Sequence, residues 1–175
     1  MDGNLREYLK HNFPKLKWSD KLQFAQEIAE GLMFLHDKGI LHRDLHSKNI
    51  LVHNKRMLIA DFGVSKHIDE VTIVKADGIG IMLGYLEPKC FADPQYKCDK
   101  RSDIYSLGVI LWEISSGRPP FDSYENRIAI VTQVNNGVRE TPAKNTPDNY
   151  VNLYKRCWDK DPGKRPDIMT VCANL

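Results

Sequence analysis

The stretch His42–Asn49 reads HRDLHSKN, and Asp61-Phe62-Gly63 follows it after two short apolar runs. Asn49 and Asp61 carry the hard oxygen ligands that Mg²⁺ prefers. Asp44 is a separate carboxylate that can accept a proton from a hydroxyl group. A phosphoryl-transfer site needs these three groups together. The pattern therefore predicts a metal-phosphate site at Asn49 and Asp61, with Asp44 as the catalytic base.

The residues between these two motifs predict a β-hairpin. Ile50–His53 and Met57–Ala60 are short runs rich in apolar residues, and Asn54-Lys55 separates them with a turn signal. A hairpin returns the chain to its starting point, so it would place Asp61 beside Asn49. The two ligands could then face one ion.

Helical periodicity covers most of the remaining chain. Asn4 is expected to cap a short helix, and Ser19 a longer one that buries one face. The run Ser102–Ile114 is apolar nearly all round, which predicts a buried central helix. Further helices are expected around Ile128–Val134, from Pro147 to Trp158 and from Pro166 onward. The predicted fold is mainly α, with one small hairpin.

Residues 65–84 are predicted to form an irregular loop, because they contain glycines at 78, 80 and 84 and show no periodicity. Thr72 is the only hydroxyl residue between Lys66 and Gly84. It is either an ordinary surface threonine or a phosphorylation site. A phosphate or carboxylate on this loop would be a natural partner for Arg43; the alternative is a plain surface salt bridge.

The bulk composition narrows the class of protein. The chain has 175 residues, enough for one domain, and a formal net charge of +2 without a basic block, which argues against nucleic acid as a partner. No apolar run suits a signal peptide or a membrane span. Cys90, Cys98, Cys157 and Cys172 are scattered, which favours free thiols in a reducing compartment. We therefore expect a cytoplasmic protein.

The whole chain resembles the large, C-terminal lobe of a eukaryotic protein kinase domain. Gly3-Asn4-Leu5 resembles the segment after the hinge of that family, Ser102–Gly108 its central helix, and Cys157–Pro166 its closing signature. Four residues place the chain nearest the tyrosine-kinase-like branch: Leu45, Lys48, Tyr85 and Trp112. The resemblance implies ATP and Mg²⁺ as cofactors and a protein as substrate.

The resemblance also implies roles for individual residues. Asp44, Arg43 and Lys48 would be catalytic, with Lys48 neutralising the transferring phosphate and contacting the nucleotide. Asn49 and Asp61 would bind the metal and, through it, the nucleotide. Four residues would be structural: His42 beneath the catalytic loop, Gly63, Asp103 as acceptor of N–H groups from that loop, and Arg165.

The sequence also departs from the family pattern. It contains no glycine-rich phosphate loop and no strand lysine paired with a helix glutamate, so residues 1–175 are expected to be the large lobe only, truncated at both ends. Lys89 stands where the family has the glutamate that pairs with an arginine at the position of Arg165; the two cations would repel unless Glu87 substitutes. Met82 replaces a threonine that serine/threonine kinases carry, which leaves Ser/Thr or Tyr specificity open.

Two functions from different classes follow. The first is an enzyme that transfers the ATP γ-phosphate to protein hydroxyl groups in signalling. The second is a non-catalytic, pseudokinase-like binding or scaffold module that keeps the fold without turnover.

Overall fold

The computed structural model describes residues 2–61, 83–93, 95–124 and 126–175. Along the chain it contains α1 (Leu5–Asn12), α2 (Trp18–Asp37), β1 (Ile50–His53), β2 (Arg56–Ile59), α3 (Lys89–Ala92), α4 (Lys100–Ser116), α5 (Arg127–Asn135), α6 (Asp148–Cys157) and α7 (Ile168–Asn174). Single 3₁₀ turns lie at Phe13–Lys15, Ser47–Asn49 and Pro162–Lys164. The predicted mainly α fold with one small hairpin is confirmed.

Helix α4 is the centre of the core. Every residue from Ser102 to Ser115 is buried, and α4 packs against α2 and α6. Gly108 permits the close approach of α6, because a Cβ at this position would lie 2.7 Å from Cβ of Cys157 and 3.0 Å from the backbone nitrogen of Trp158. The apolar stretch that predicted a central helix therefore forms one, and its glycine lets α6 pack closely against it.

The hairpin lies on α2 and places the metal-ligand candidates. Ile50 pairs with Ile59 and His53 with Arg56, in antiparallel register. Asn54 and Lys55 both have positive φ, 49° and 60°, as a two-residue type I′ turn requires. The backbone N–H of Ala60 donates to the carbonyl of Asn49 at 2.8 Å, one residue before Asp61.

The two N-terminal helices begin differently from one another. The side chain of Asn4 accepts from the N–H of Glu7, as predicted for a cap of α1. The prediction that Ser19 caps α2 is wrong: α2 begins at Trp18, with Lys17 at the cap. Asp20 explains the earlier start, because its carboxylate accepts the N–H of Lys17 at 2.8 Å.

The cysteines correct another prediction. Four free thiols were expected, but the structure brings Cys90 and Cys98 together as a disulfide, whereas Cys157 and Cys172 are free. A separation of eight residues does not reveal this contact, because the chain must reverse between the two side chains. Burial raises the pKa of Cys157 to about 12, which keeps this thiol protonated.

Several predictions fall on residues outside those described: the irregular loop, of which only residues 83 and 84 are described, a partner for Arg43 on that loop, the structural role of Gly63, the phosphorylation of Thr72 and the effect of Met82 on specificity. Within the described residues, no helix has the length and apolar character that crossing a bilayer requires.

Candidate active site

Asp103 holds the start of the predicted catalytic loop, residues His42–Asn49. This carboxylate is 1% exposed and accepts the backbone N–H of His42 at 3.0 Å and that of Arg43 at 2.8 Å. It also lies 3.0 Å from Nε2 of His36. Arg43 has φ of 64°, a conformation that is uncommon for a residue with a side chain. The two hydrogen bonds to Asp103 hold the backbone in that conformation.

The ring of His42 connects the loop to the end of the hairpin. It is fully buried, and its Nε2 lies 3.0 Å from the carbonyl oxygen of Ala60. The N–H of Asp44 donates to its Nδ1 at 3.3 Å. Both contacts fit the neutral tautomer with the proton on Nε2, which donates on one side and accepts on the other. His42 therefore contacts both Asp44 and the residue before Asp61.

Asp44 and Asn49 lie against each other. The amide nitrogen of Asn49 donates to the backbone oxygen of Asp44 at 3.0 Å and to its carboxylate Oδ2 at 3.3 Å. The other carboxylate oxygen lies 3.5 Å from Nε2 of His46, which is 4% exposed. The carboxylate of Asp44 is thus oriented from both sides while its side chain stays 30% exposed, so a molecule from solvent can reach it.

Asp61 and Lys48 are the exposed members of the predicted site. Asp61 has φ of 64° and follows directly on the hydrogen bond between Ala60 and Asn49. Lys48 lies in the 3₁₀ turn Ser47–Asn49, between His46 and Asn49. The structure therefore brings Asp44, Lys48, Asn49 and Asp61 to one edge of the fold, where the hairpin meets the catalytic loop.

Arg165 lies apart from this edge, in a second buried centre. Its Nη1 is 2.7 Å from Oε1 of Glu87, and both side chains are fully buried. Nε donates to the carbonyl of Asp159 at 2.8 Å, and the guanidinium stacks 5.1 Å from the ring centre of Tyr105. Lys89 is exposed and does not oppose Arg165. The glutamate at position 87 thus supplies the negative charge that position 89 lacks.

A buried polar network behind the catalytic loop was not predicted. Oγ of Ser47 lies 3.0 Å from Oε1 of Glu113 in α4, and Nε of Arg6 in α1 lies 3.3 Å from the same oxygen. The hydroxyl of Tyr85 donates to the other carboxylate oxygen. The network joins α1, the catalytic loop and α4. The sequence signal for this network is Glu113, a charged residue in the apolar stretch of α4.

Burial is the main influence on the protonation of this network. It raises the pKa of Glu113 above its usual value of 4.5, although the positive charge of Arg6 and the hydrogen bonds from Tyr85 and Ser47 act in the opposite direction. Burial, with the charge of Glu113, also raises the pKa of Tyr85 well above 10.0. Tyr85 therefore stays a neutral hydrogen-bond donor.

Comparisons with known proteins agree with this arrangement. A family model described as protein tyrosine and serine/threonine kinase matches residues 1–175. A probable LIM domain-containing serine/threonine-protein kinase of Dictyostelium discoideum is 33% identical over 99% of this chain and 26% of its own length. The serine/threonine/tyrosine-protein kinase HT1 of Arabidopsis thaliana is 34% identical over 99% of this chain and 44% of its own.

A viral relative is named a tyrosine-protein kinase. The tyrosine-protein kinase transforming protein Fps of an avian sarcoma virus is 30% identical over 99% of this chain and 32% of its own length. The chain therefore spans less than half the length of each of these three relatives.

Proposed function

This chain belongs to the protein tyrosine and serine/threonine kinase family, and on that premise we propose that it transfers the γ-phosphate of ATP to hydroxyl groups of protein substrates. The proposal includes Mg²⁺ as the metal and the cytoplasm as the place of action. The contact between Asp44 and Asn49 in a loop anchored by Asp103 is the observation that carries it. A base and a metal ligand are thereby held side by side.

The residues at the edge of the hairpin fit a magnesium ion bound with phosphates. Asn49 uses its amide nitrogen toward Asp44, so its amide oxygen is the atom that can face a metal. Asp61 adds an exposed carboxylate next to it along the hairpin. Mg²⁺ takes few protein ligands and completes its shell with water and phosphate oxygens. Bound there with ATP, it would neutralise charge that develops on the phosphates.

Asp44 would accept the proton of the attacking hydroxyl. The contacts from His46 and Asn49 restrict the rotation of its carboxylate, which supports a fixed direction of proton transfer. Lys48, exposed at the same edge, would place a positive charge near the transferring phosphate. Arg43 would keep the loop in its conformation through its backbone contact with Asp103.

The experiment is phosphoryl transfer from radiolabelled ATP by this chain fused to the small lobe of a related kinase. We expect turnover in the fusion and little in residues 1–175 alone, because they contain no glycine-rich phosphate loop. Asp44→Asn should lower the rate roughly 10²–10⁴-fold, as loss of a general base does. Asp37→Asn, an exposed aspartate at the end of α2, is the matched control. A fusion that binds ATP without turnover would favour the non-catalytic binding or scaffold module.

Calorimetry of ATP binding with and without Mg²⁺ tests the division of roles. Mg²⁺ and ATP should strengthen each other by the same factor. Asp61→Asn should weaken that coupling more than Asp44→Asn does, because Asp44 is assigned to the hydroxyl and not to the ion. Equal losses in the two variants would contradict the assignment.

A further inference from the structure

The described residues of the segment from Glu87 to Cys98, 87–93 and 95–98, fold back on Glu87. The hydroxyl of Tyr96 donates to Oε1 of Glu87 at 3.2 Å, and Sγ of Cys90 lies 3.9 Å from Oε2. Two residues beyond Tyr96, the sulfur of Cys98 is bonded to that of Cys90. The second half of the segment is thus tied to the first half at two points, both next to the buried pair of Glu87 and Arg165.

We propose that Cys90 and Cys98 are a reversible dithiol–disulfide site, oxidised by small-molecule disulfides such as glutathione disulfide, and that the bond fastens this segment around Glu87. Their Cα atoms are 6.7 Å apart, within the range that a disulfide spans. Both side chains are partly exposed, so a small thiol or disulfide can reach them. Exposed disulfides are the kind that exchange readily.

The reaction proceeds by two thiol–disulfide exchanges. A thiolate on Cys90 would face the carboxylate of Glu87, so we assign the first attack to Cys98. Cys98 gives up its proton and forms a bond to one sulfur of glutathione disulfide, which releases one glutathione thiolate. Cys90 then loses its proton and displaces the second glutathione from Cys98. In total, two protein thiols are oxidised and one glutathione disulfide is reduced to two glutathione molecules.

The oxidation state of Cys90 and Cys98 determines which interactions stabilise the segment from Glu87 to Cys98. As a thiol, Cys90 offers Glu87 only a weak S–H donor at a distance of 3.9 Å. As a disulfide, it joins α3 covalently to the residue that precedes Asp99, the cap of α4. Oxidation should therefore slow the opening of residues 88–99 and stabilise the surroundings of Glu87.

The other two cysteines provide internal controls. Cys157 is fully buried, and its pKa of about 12 leaves almost no thiolate at neutral pH. Cys172 in α7 is partly exposed, but burial raises its pKa and no described cysteine lies against it. It can form a mixed disulfide with glutathione but not an internal bond.

The first experiment treats residues 1–175 with glutathione disulfide, blocks the remaining thiols by alkylation and maps the peptides by mass spectrometry. We expect a cross-link between Cys90 and Cys98 with the loss of two hydrogen atoms, reversed by dithiothreitol. Glutathione adducts on these two residues without a cross-link would overturn the proposal, as would a cross-link of either residue to Cys172.

The second experiment compares the thermal midpoint and the hydrogen exchange of the oxidised and reduced chain. Closing a short loop should raise the midpoint by roughly 5–10 °C and slow exchange across residues 88–99. Cys98→Ser should abolish the difference between the two conditions, whereas Cys172→Ser should keep it. Two results would overturn the proposal that the disulfide stabilises this segment. One is a cross-linked protein with unchanged hydrogen exchange, and the other is a Cys98→Ser variant whose midpoint still differs between the two conditions.

Discussion

Two buried carboxylates, Asp103 and Glu87, hold two regions of the molecule in different ways. Asp103 binds the catalytic loop through the backbone N–H groups of His42 and Arg43, and it also contacts the ring of His36 in α2. Glu87 binds the guanidinium of Arg165 and the hydroxyls of Ser102 and Tyr96. Ser102 and Asp103 are consecutive, so the first turn of α4 anchors both centres.

The difference lies in what each centre requires from the sequence. The partners of Asp103 within the loop are backbone N–H groups, so any side chains that fold into the same loop would serve. The partner of Glu87 is a buried cation, and a buried cation needs an opposite charge close by. In this chain that charge comes from position 87 and not from position 89, where the family pattern has it. Arg165 requires a negative charge close to its guanidinium, and more than one position in the sequence can supply that charge.

Removing the carboxylate of Glu87 should have the largest effect on stability. Glu87→Ala leaves Arg165 as an uncompensated buried charge, and we expect a loss of about 3–5 kcal/mol in the free energy of unfolding. Urea denaturation measures it. Arg56→Gln is the control, because Arg56 pairs with Glu27 but is 70% exposed, and such a pair contributes about 0–1 kcal/mol. Similar losses of unfolding free energy in both variants would contradict the expectation that the buried ion pair contributes more than the exposed one.

Asp103→Asn should destabilise less. An amide offers one oxygen where the carboxylate offers two, so a donor of the catalytic loop would face an NH₂ group, at a cost of about 1–3 kcal/mol. Hydrogen exchange should become faster at His42 and Arg43, while the segment near Glu87 keeps its protection. If both regions lost protection equally, the two centres would be one cooperative unit rather than two.

Glu113 should make stability depend on pH. Its pKa in the folded protein is raised above the 4.5 of an exposed carboxyl. The unfolded state therefore ionises first as pH rises, and stability is lost between 4.5 and the higher folded pKa. Glu113→Gln should flatten the thermal midpoint against pH in this window, whereas the exposed Glu30→Gln should not. An unchanged slope in Glu113→Gln would show that Glu113 ionises in the folded protein as it does in the unfolded chain.

Restoring the family glutamate at position 89 should have the smallest effect. Lys89 is exposed, and its ammonium lies 5.6 Å from the ring centre of Tyr96. Adding Lys89→Glu to Glu87→Ala should therefore recover little of the lost stability. Recovery of more than half in urea denaturation would show that position 89 can reach Arg165, and would remove the distinction between the two positions.

Much of the fold followed from local patterns. Apolar runs and the Asn54-Lys55 turn predicted the hairpin, because a two-residue turn and its flanking strands are read from neighbouring residues. The start of α2 was missed, because Lys17 has no capping side chain of the usual kind and Asp20 reaches back to it instead. Such reciprocal contacts are weak signals in a sequence, and packing of Trp18 against Tyr150 supports the earlier start.

The candidate site also contains residues that local sequence patterns predicted and contacts that they did not predict. The spacing within His42–Asn49 and the position of Asp61 predicted a base and metal ligands, since each of these residues lies within one short motif. The orientation of Asp44 by His46, and the network of Arg6, Ser47 and Glu113, could not be read from spacing, because their members come from distant segments.

The sequence by itself determined the family, the hairpin and the order of the helices apart from the short α3, because these depend on periodicity and on motifs whose residues are neighbours along the chain. Only the tertiary structure decided that Glu87 pairs with Arg165 across 78 residues, that Glu113 is buried beneath the catalytic loop and that Cys90 meets Cys98. The physical reason is that the free energy of a buried charge depends on which groups surround it in space. Those groups are brought together by the packing of whole helices around α4.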